Sequence, residues 1–183
     1  MNRIDLVPRG WEQESWIREF YPDDLPEEWR LCYFANEFSS VLLPRATWMG
    51  VADDVVTEWA ADLPAQFRIY LEGACAAHWG KLGRVLSAFG ERVAGVVNDG
   101  RAIQKSAYVA FSFCEAPVEA VRFAGPLACA IPGPSIDDLP TARRLLDDLV
   151  PRPGLAPVLV ILDPVSPDAL HRWWQLAYLA GLA

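Results

Sequence analysis

Residues 25–44 read LPEEWRLCYFANEFSSVLLP, a helix running into a strand. Pro26 suits a first helical turn, where its missing N–H has no partner to lose, and Glu27 and Glu28 complement the positive end of the helix dipole. Leu25, Trp29, Cys32 and Tyr33 fall at i, i+4, i+7 and i+8, so the spacing predicts one apolar stripe on a helix over 25–38. Val41-Leu42-Leu43 reads as a buried strand stopped by Pro44.

Outward from this unit the alternation continues. Upstream, Ile4 to Val7 is a short aliphatic strand ended by Pro8. Downstream, Asp53 and Asp54 open a helix carrying Val55, Val56, Trp59, Ala60 and Leu63, closed by Pro64. Phe67 to Leu71 is a strand, and Ala76 to Phe89 a helix with Trp79, Leu82, Leu86 and Phe89 at helical spacing. Val93 to Val97 and Tyr108 to Phe113 are further strands. The stretches Glu119 to Phe123 and Leu127 to Ile131 are read as one strand or two. A helix follows over Ile136 to Val150, with Leu139, Ala142, Leu145, Leu146 and Leu149 on its face. Val158 to Leu162 is an apolar run of the kind buried on both faces. Ser166 then caps a last helix with Pro167 at its first position.

Strands alternating with amphipathic helices imply right-handed βαβ units and a mainly parallel sheet in one α/β domain over 1–183. A full (β/α)₈ barrel usually takes about 250 residues, so a barrel in this chain is incomplete or shortened. A doubly wound, mainly parallel open sheet is the competing architecture. No glycine-rich nucleotide loop follows any strand.

The first half resembles the YecE-like family, a TIM-barrel domain of unknown function. The resemblance rests on Gly10-Trp11 after the first strand, Phe20-Tyr21-Pro22, Leu25-Pro26, Trp29, Tyr33-Phe34-Ala35, Phe38 and Val41. It continues more weakly through Trp59-Ala60, Pro64, Phe67-Arg68 and Leu86 to Val97, covering roughly residues 4–98. A purely structural account of these residues is that they lock the first helix onto the sheet. Where the resemblance implies a Val-Glu-x-Asn element after the second strand, this chain has Val41-Leu42-Leu43-Pro44, and where it implies a lysine after the third strand it has Glu72. It therefore implies a retained fold whose mouth has lost its polar groups.

If the barrel holds, chemistry belongs just past the C-terminal strand ends. Glu72 with Asp99 or Glu115 could form an acid/base pair, since carboxylates in different environments take opposite roles. Arg9 and Arg45 could share a small anion between their guanidinium forks, with Trp11, Trp48, Asn98 and Arg101 beside them and Asp163 at the last strand end. The same residues serve equally well as turn formers and solvated loop charges. Trp173 and Trp174 point about 100° apart on their helix, so one of the two is expected to be exposed and open to a partner. His78 and His171 are read as ordinary helix or loop histidines.

A formal charge of −8 and a pI of 4.7 argue against binding a phosphate backbone. No uncharged apolar run is long enough to span a bilayer, and the N-terminus lacks the apolar core of a secretory signal. Four separated cysteines with no C-x-x-C fit a reduced compartment. The expectation is a soluble, acidic, cytoplasmic protein without metal or cofactor, binding neither nucleic acid nor membrane. Its expected role is that of a degenerate barrel acting as a binding or protein-interaction module. An incomplete barrel exposes strand edges, which implies a homo-oligomer or a stable partner. The alternative is a metal-independent hydrolase or lyase using the rim carboxylates.

Overall fold

The computed structural model of the chain describes residues 4–73, 78–98, 110–115, 127–132, 136–149 and 158–182. Seven strands and seven α-helices lie among them. Strand β1 (Ile4–Pro8) leads to helix α1 (Glu14–Glu19), then a 3₁₀ turn (Glu27–Trp29) continues into α2 (Arg30–Glu37). Next come β2 (Ser40–Leu43), α3 (Arg45–Gly50), α4 (Asp53–Asp62), β3 (Arg68–Glu72), α5 (Trp79–Phe89) and β4 (Val93–Asn98). The remainder is β5 (Ala110–Glu115), β6 (Leu127–Pro132), α6 (Leu139–Leu149), β7 (Val158–Asp163) and α7 (Pro167–Leu179). Helices α1 and α3 were not anticipated; both are six-residue pieces, under two turns and too short to show a period. The stretch Glu119 to Phe123 and the whole proline-rich run before β7 lie outside the described residues.

Every strand pair is parallel, in the order β1-β7-β6-β5-β4-β3-β2. From β2 to β7 the strands follow chain order without the reversal that defines a doubly wound sheet, so that alternative fails. The sheet is strongly curled. Flat, with strands about 4.8 Å apart, β1 and β3 would lie roughly 24 Å from each other. Instead Tyr70 of β3 donates its hydroxyl to Asp5 of β1, and Arg68 Nη1 lies 3.2 Å from the same carboxylate. The two edge strands meet at a single bridge between Arg9 and Leu42, where the Gly10 N–H donates to the Leu42 carbonyl at 2.9 Å. Gly10 adopts φ +75°, the left-handed region that only glycine enters without strain, and so turns the chain at this seam. Farther back along β1, groups of the same parity are served by the C-terminal segment. The Leu6 carbonyl accepts the Trp174 indole N–H at 3.0 Å, and the Ile4 N–H donates to the Leu182 carbonyl at 3.0 Å. This covers an edge that would otherwise be left to pair with another chain.

Curling gives the sheet two apolar faces. Inside, Val7, Leu42, Tyr70, Val97, Ala128, Leu159 and Ile161 form one cluster drawn from six strands. Outside, the helices pack over a larger core that includes the fully buried Trp16, Trp48 and Trp173. Because both faces are covered, β2 and β7 are apolar at successive positions rather than alternating.

Four readings of faces need correction. On α2 the buried residues are Leu31, Phe34 and Ala35, followed by Phe38, whereas Trp29 and Tyr33 are 63% and 37% exposed. Two apolar stripes share this helix, and the sheet selects the one with the tighter i, i+3, i+4, i+7 set; spacing alone ranks neither first. Likewise α5 buries Leu82, Val85 and Phe89 but exposes half of Trp79, and α6 leaves Leu139 exposed. Finally, neither tryptophan of the last helix is turned out to solvent. Trp173 is fully buried, and Trp174 is partly buried with its indole N–H on β1. As the sequence predicts, Ser166 caps α7, its hydroxyl accepting from the Ala169 N–H at 3.2 Å with Pro167 at the first position.

Candidate functional site

The parallel strands bring their C-terminal ends to one rim, and three charged groups converge there from β1, β3 and β7. Arg9, one residue past β1, lays its guanidinium across Glu72, the last residue of β3. Its Nε and Nη2 donate to Oε1 at 3.1 and 3.0 Å, and Nη2 also reaches Oε2 at 3.1 Å. Its Nη1 lies 3.6 Å from Oδ2 of Asp163, the last residue of β7. One cation thus serves two carboxylates from strands on either side of the seam.

Each carboxylate has further anchors. Glu72 Oε2 accepts the Arg45 backbone N–H at 2.8 Å, taking up one of the donors left unpaired at the start of α3. The Glu72 carbonyl accepts the Trp48 indole N–H at 3.1 Å, which ties the body of α3 to the strand end. Gln13 bridges the other side: its Nε2 donates to the Arg9 carbonyl at 2.8 Å and lies 3.5 Å from Asp163 Oδ1, while its Oε1 accepts the Val165 N–H at 3.2 Å. Burial raises the pKa of Asp163 above the usual carboxylate value; Arg9 opposes this and the neighbouring Glu72 charge adds to it. Burial likewise raises Glu12, against the pull of Arg30.

Beside the cluster is a cavity of about 190 Å³ lined by Arg9, Gly10, Trp11, Glu12, Gln13, Pro44 and Thr47. Ligand pockets for drug-sized molecules run to roughly 300–1,000 Å³, so this one suits water or a small ion.

Measured against expectation, Glu72 and Arg9 come together with Asp163, but as ion-pair partners. The anticipated sharing of an anion by Arg9 and Arg45 is not what the geometry offers: Arg9 is occupied by two carboxylates, and Arg45 contributes its backbone N–H to Glu72. Trp11 and Trp48, expected beside a ligand, are 3% and 0% exposed. Trp11 packs edge-on against Trp59 with ring centres 5.4 Å apart and accepts the Tyr21 hydroxyl on its carbonyl at 2.7 Å. Asn98 and Glu115 end β4 and β5 on the same rim, while Asp99 and Arg101 lie outside the described residues. Gln13 and Thr47 were missed, because a lone amide or hydroxyl in a loop carries no periodic signal. His171 contacts Glu37 at 3.0 Å and lies against the Phe38 ring, an ordinary helix-surface histidine. Among the described residues no three His, Cys, Asp or Glu side chains are grouped to hold a metal, and no helix is long and apolar enough to cross a membrane.

Of the residues that carry the resemblance, Phe20, Phe34 and Phe38 are packing residues, whereas Trp29 and Tyr33 are exposed. Trp16, Phe20, Phe34 and Phe38 form a cluster with ring centres about 5 Å apart, which seats α1 and α2 on the sheet.

Comparison with curated proteins finds no match. Among solved structures, a DUF72 family protein from Thermotoga maritima MSB8 is similar at 9% identity and a TM-score of 0.55, covering 98% of this chain and 100% of that one. A DUF72 family protein from Enterococcus faecalis V583 is similar at 9% identity and a TM-score of 0.48, covering 100% and 99%. The fold is therefore an α/β arrangement of parallel strands and helices like that of the Thermotoga protein, and residues 8–76 match the model of DUF72, a protein family of unknown function.

Proposed function

We propose that this chain is a shortened YecE-like barrel that works as a binding or protein-interaction module and has given up catalysis at its mouth. DUF72 is the YecE-like family, and the stretch matched by its model, residues 8–76, lies within the stretch of roughly 4–98 that carries the resemblance. The sequential strand order, the curl and the inner apolar cluster support a barrel whose β1–β2 seam is only pinned.

One observation carries the functional reading: Arg9 spans the mouth and satisfies Glu72 and Asp163 together. A general base needs a free lone pair directed at substrate, and a carboxylate held by a two-pronged guanidinium is a poor one. Leu42 strengthens the case. It occupies the position where the resemblance implies a carboxylate, and it packs into the inner cluster instead.

Light scattering of the purified chain and a thermal-shift screen with phosphate and sugar phosphates test the reading. A module of this kind self-associates or copurifies with a stable partner and turns over none of the compounds; a clean monomer counts against it. A small anion held at the mouth at 100 times its Kd would add about 2.7 kcal/mol of stability. Hydrolysis or elimination that disappears in Glu72→Gln would overturn the proposal.

A further inference from the structure

The acidic character of the chain is concentrated in one place. Residues 10–30 hold seven acidic side chains against two arginines, so −5 of the formal −8 falls within about a ninth of the sequence. Both arginines are already engaged: Arg18 with Glu14 and Glu19, and Arg30 with Glu12 and Glu27. Asp23, Asp24 and Glu28 are exposed and have no ion pair among the described residues.

Set into this acidic field is the apolar stripe that the sheet rejected. Trp29 and Tyr33 are one helical turn apart and therefore share a face, 63% and 37% exposed. The Tyr33 ring leans on Phe20 at 5.4 Å, and Ile17, one turn before Phe20 on α1, is 43% exposed. Ile17 on α1 and Trp29 and Tyr33 at α2 are thus three exposed large apolar side chains on two helices joined through Phe20, and the unpaired carboxylates at 23, 24 and 28 lie in the segment that connects them. An indole two-thirds in water adds little to the fold, and contiguous exposed apolar groups rimmed by charge mark a contact surface. Here both the chemistry of the rim and the aromatic face favour cations, since a guanidinium or ammonium is attracted to Trp29 as well as to the carboxylates.

We infer that the α1–α2 face is a docking surface for a basic segment of a partner protein, with Trp29 and Tyr33 as anchors and Asp23, Asp24 and Glu28 selecting lysine or arginine. This rests on the interaction-module reading and supplies the class of partner. It uses none of the mouth residues.

The test is fluorescence anisotropy of the full-length chain with a labelled amphipathic Lys/Leu peptide of about 18 residues, beside an equally apolar Glu/Leu peptide. The expected result is saturable binding of the basic peptide alone, weakening as salt shortens the screening length. Trp29→Ala should weaken it at least tenfold with an unchanged melting temperature. Asp23→Asn/Asp24→Asn/Glu28→Gln should weaken it and flatten its salt dependence. Glu58→Gln/Glu91→Gln/Asp148→Asn removes the same charge from exposed positions outside residues 10–33 and should leave binding within twofold. The inference is overturned if Trp29→Ala binds as wild type does, if both charge triples act alike, if the acidic peptide binds equally, or if light scattering shows a dimer that Trp29→Ala converts to a monomer. Any of these leaves the reading of the mouth standing, because only activity dependent on Glu72 removes that.

Discussion

Replacing Glu72 by alanine separates a carboxylate that holds the fold from one kept for chemistry, because the two roles predict opposite signs. The carboxylate accepts three contacts from Arg9 and one backbone N–H from Arg45, with the Arg9 and Glu72 side chains 38% and 31% exposed. At that exposure the charge attraction itself is screened to below about 1 kcal/mol. Losing hydrogen bonds to charged groups costs more, roughly 1.5–3 kcal/mol, and leaves the Arg45 N–H to find water. The net expectation for Glu72→Ala is about 2–3 kcal/mol of lost stability, a fall of roughly 4–12 °C in Tm for a chain of this size. Glu72→Gln keeps an acceptor for the Arg45 N–H and should lose about half as much. Thermal unfolding followed by circular dichroism gives the sign, and a cycle with Arg9→Ala should return a coupling of about 1–2 kcal/mol. A Glu72→Ala variant more stable than wild type would refute the reasoning. Stabilisation on removal marks a group held in place for function against the interest of the fold.

Three other outcomes follow from the packing and the charges. Trp173→Ala empties a fully buried site and should cost about 3–5 kcal/mol in urea unfolding, whereas Trp29→Ala should stay within about 0.5 kcal/mol of wild type. Ser166→Ala removes the cap of α7 and should cost about 1 kcal/mol, measurable as a lower denaturation midpoint. Asp163 has a folded pKa raised above its unfolded value, so the folded form holds its proton more tightly and this group's contribution to stability falls as pH rises from the unfolded towards the folded pKa. Asp163→Asn should therefore not be destabilised at pH 7, and its stability should converge with that of wild type as the pH drops through the acid range; a gap that widens in acid would contradict the burial argument.

The sequence by itself determined the alternation of strand and helix, the parallel pairing and the boundaries set by prolines and caps. These depend on neighbours a few residues apart, as Pro44 after β2 and Ser166-Pro167 before α7 illustrate. The short helices α1 and α3 escaped because fewer than two turns show no period. The choice of face on α2 escaped because two stripes satisfied the same spacing, and only the sheet could select Leu31, Phe34 and Ala35 over Trp29 and Tyr33. Arg9, Glu72 and Asp163 were each visible as residues at strand ends, but not as a cluster. Arg9 and Glu72 are 63 positions apart, Asp163 lies far beyond both, and nothing in a linear pattern encodes their distance. Curling the sheet until β1 faces β3 made that contact, and the contact turned three apparent site residues into one cation and its two carboxylates.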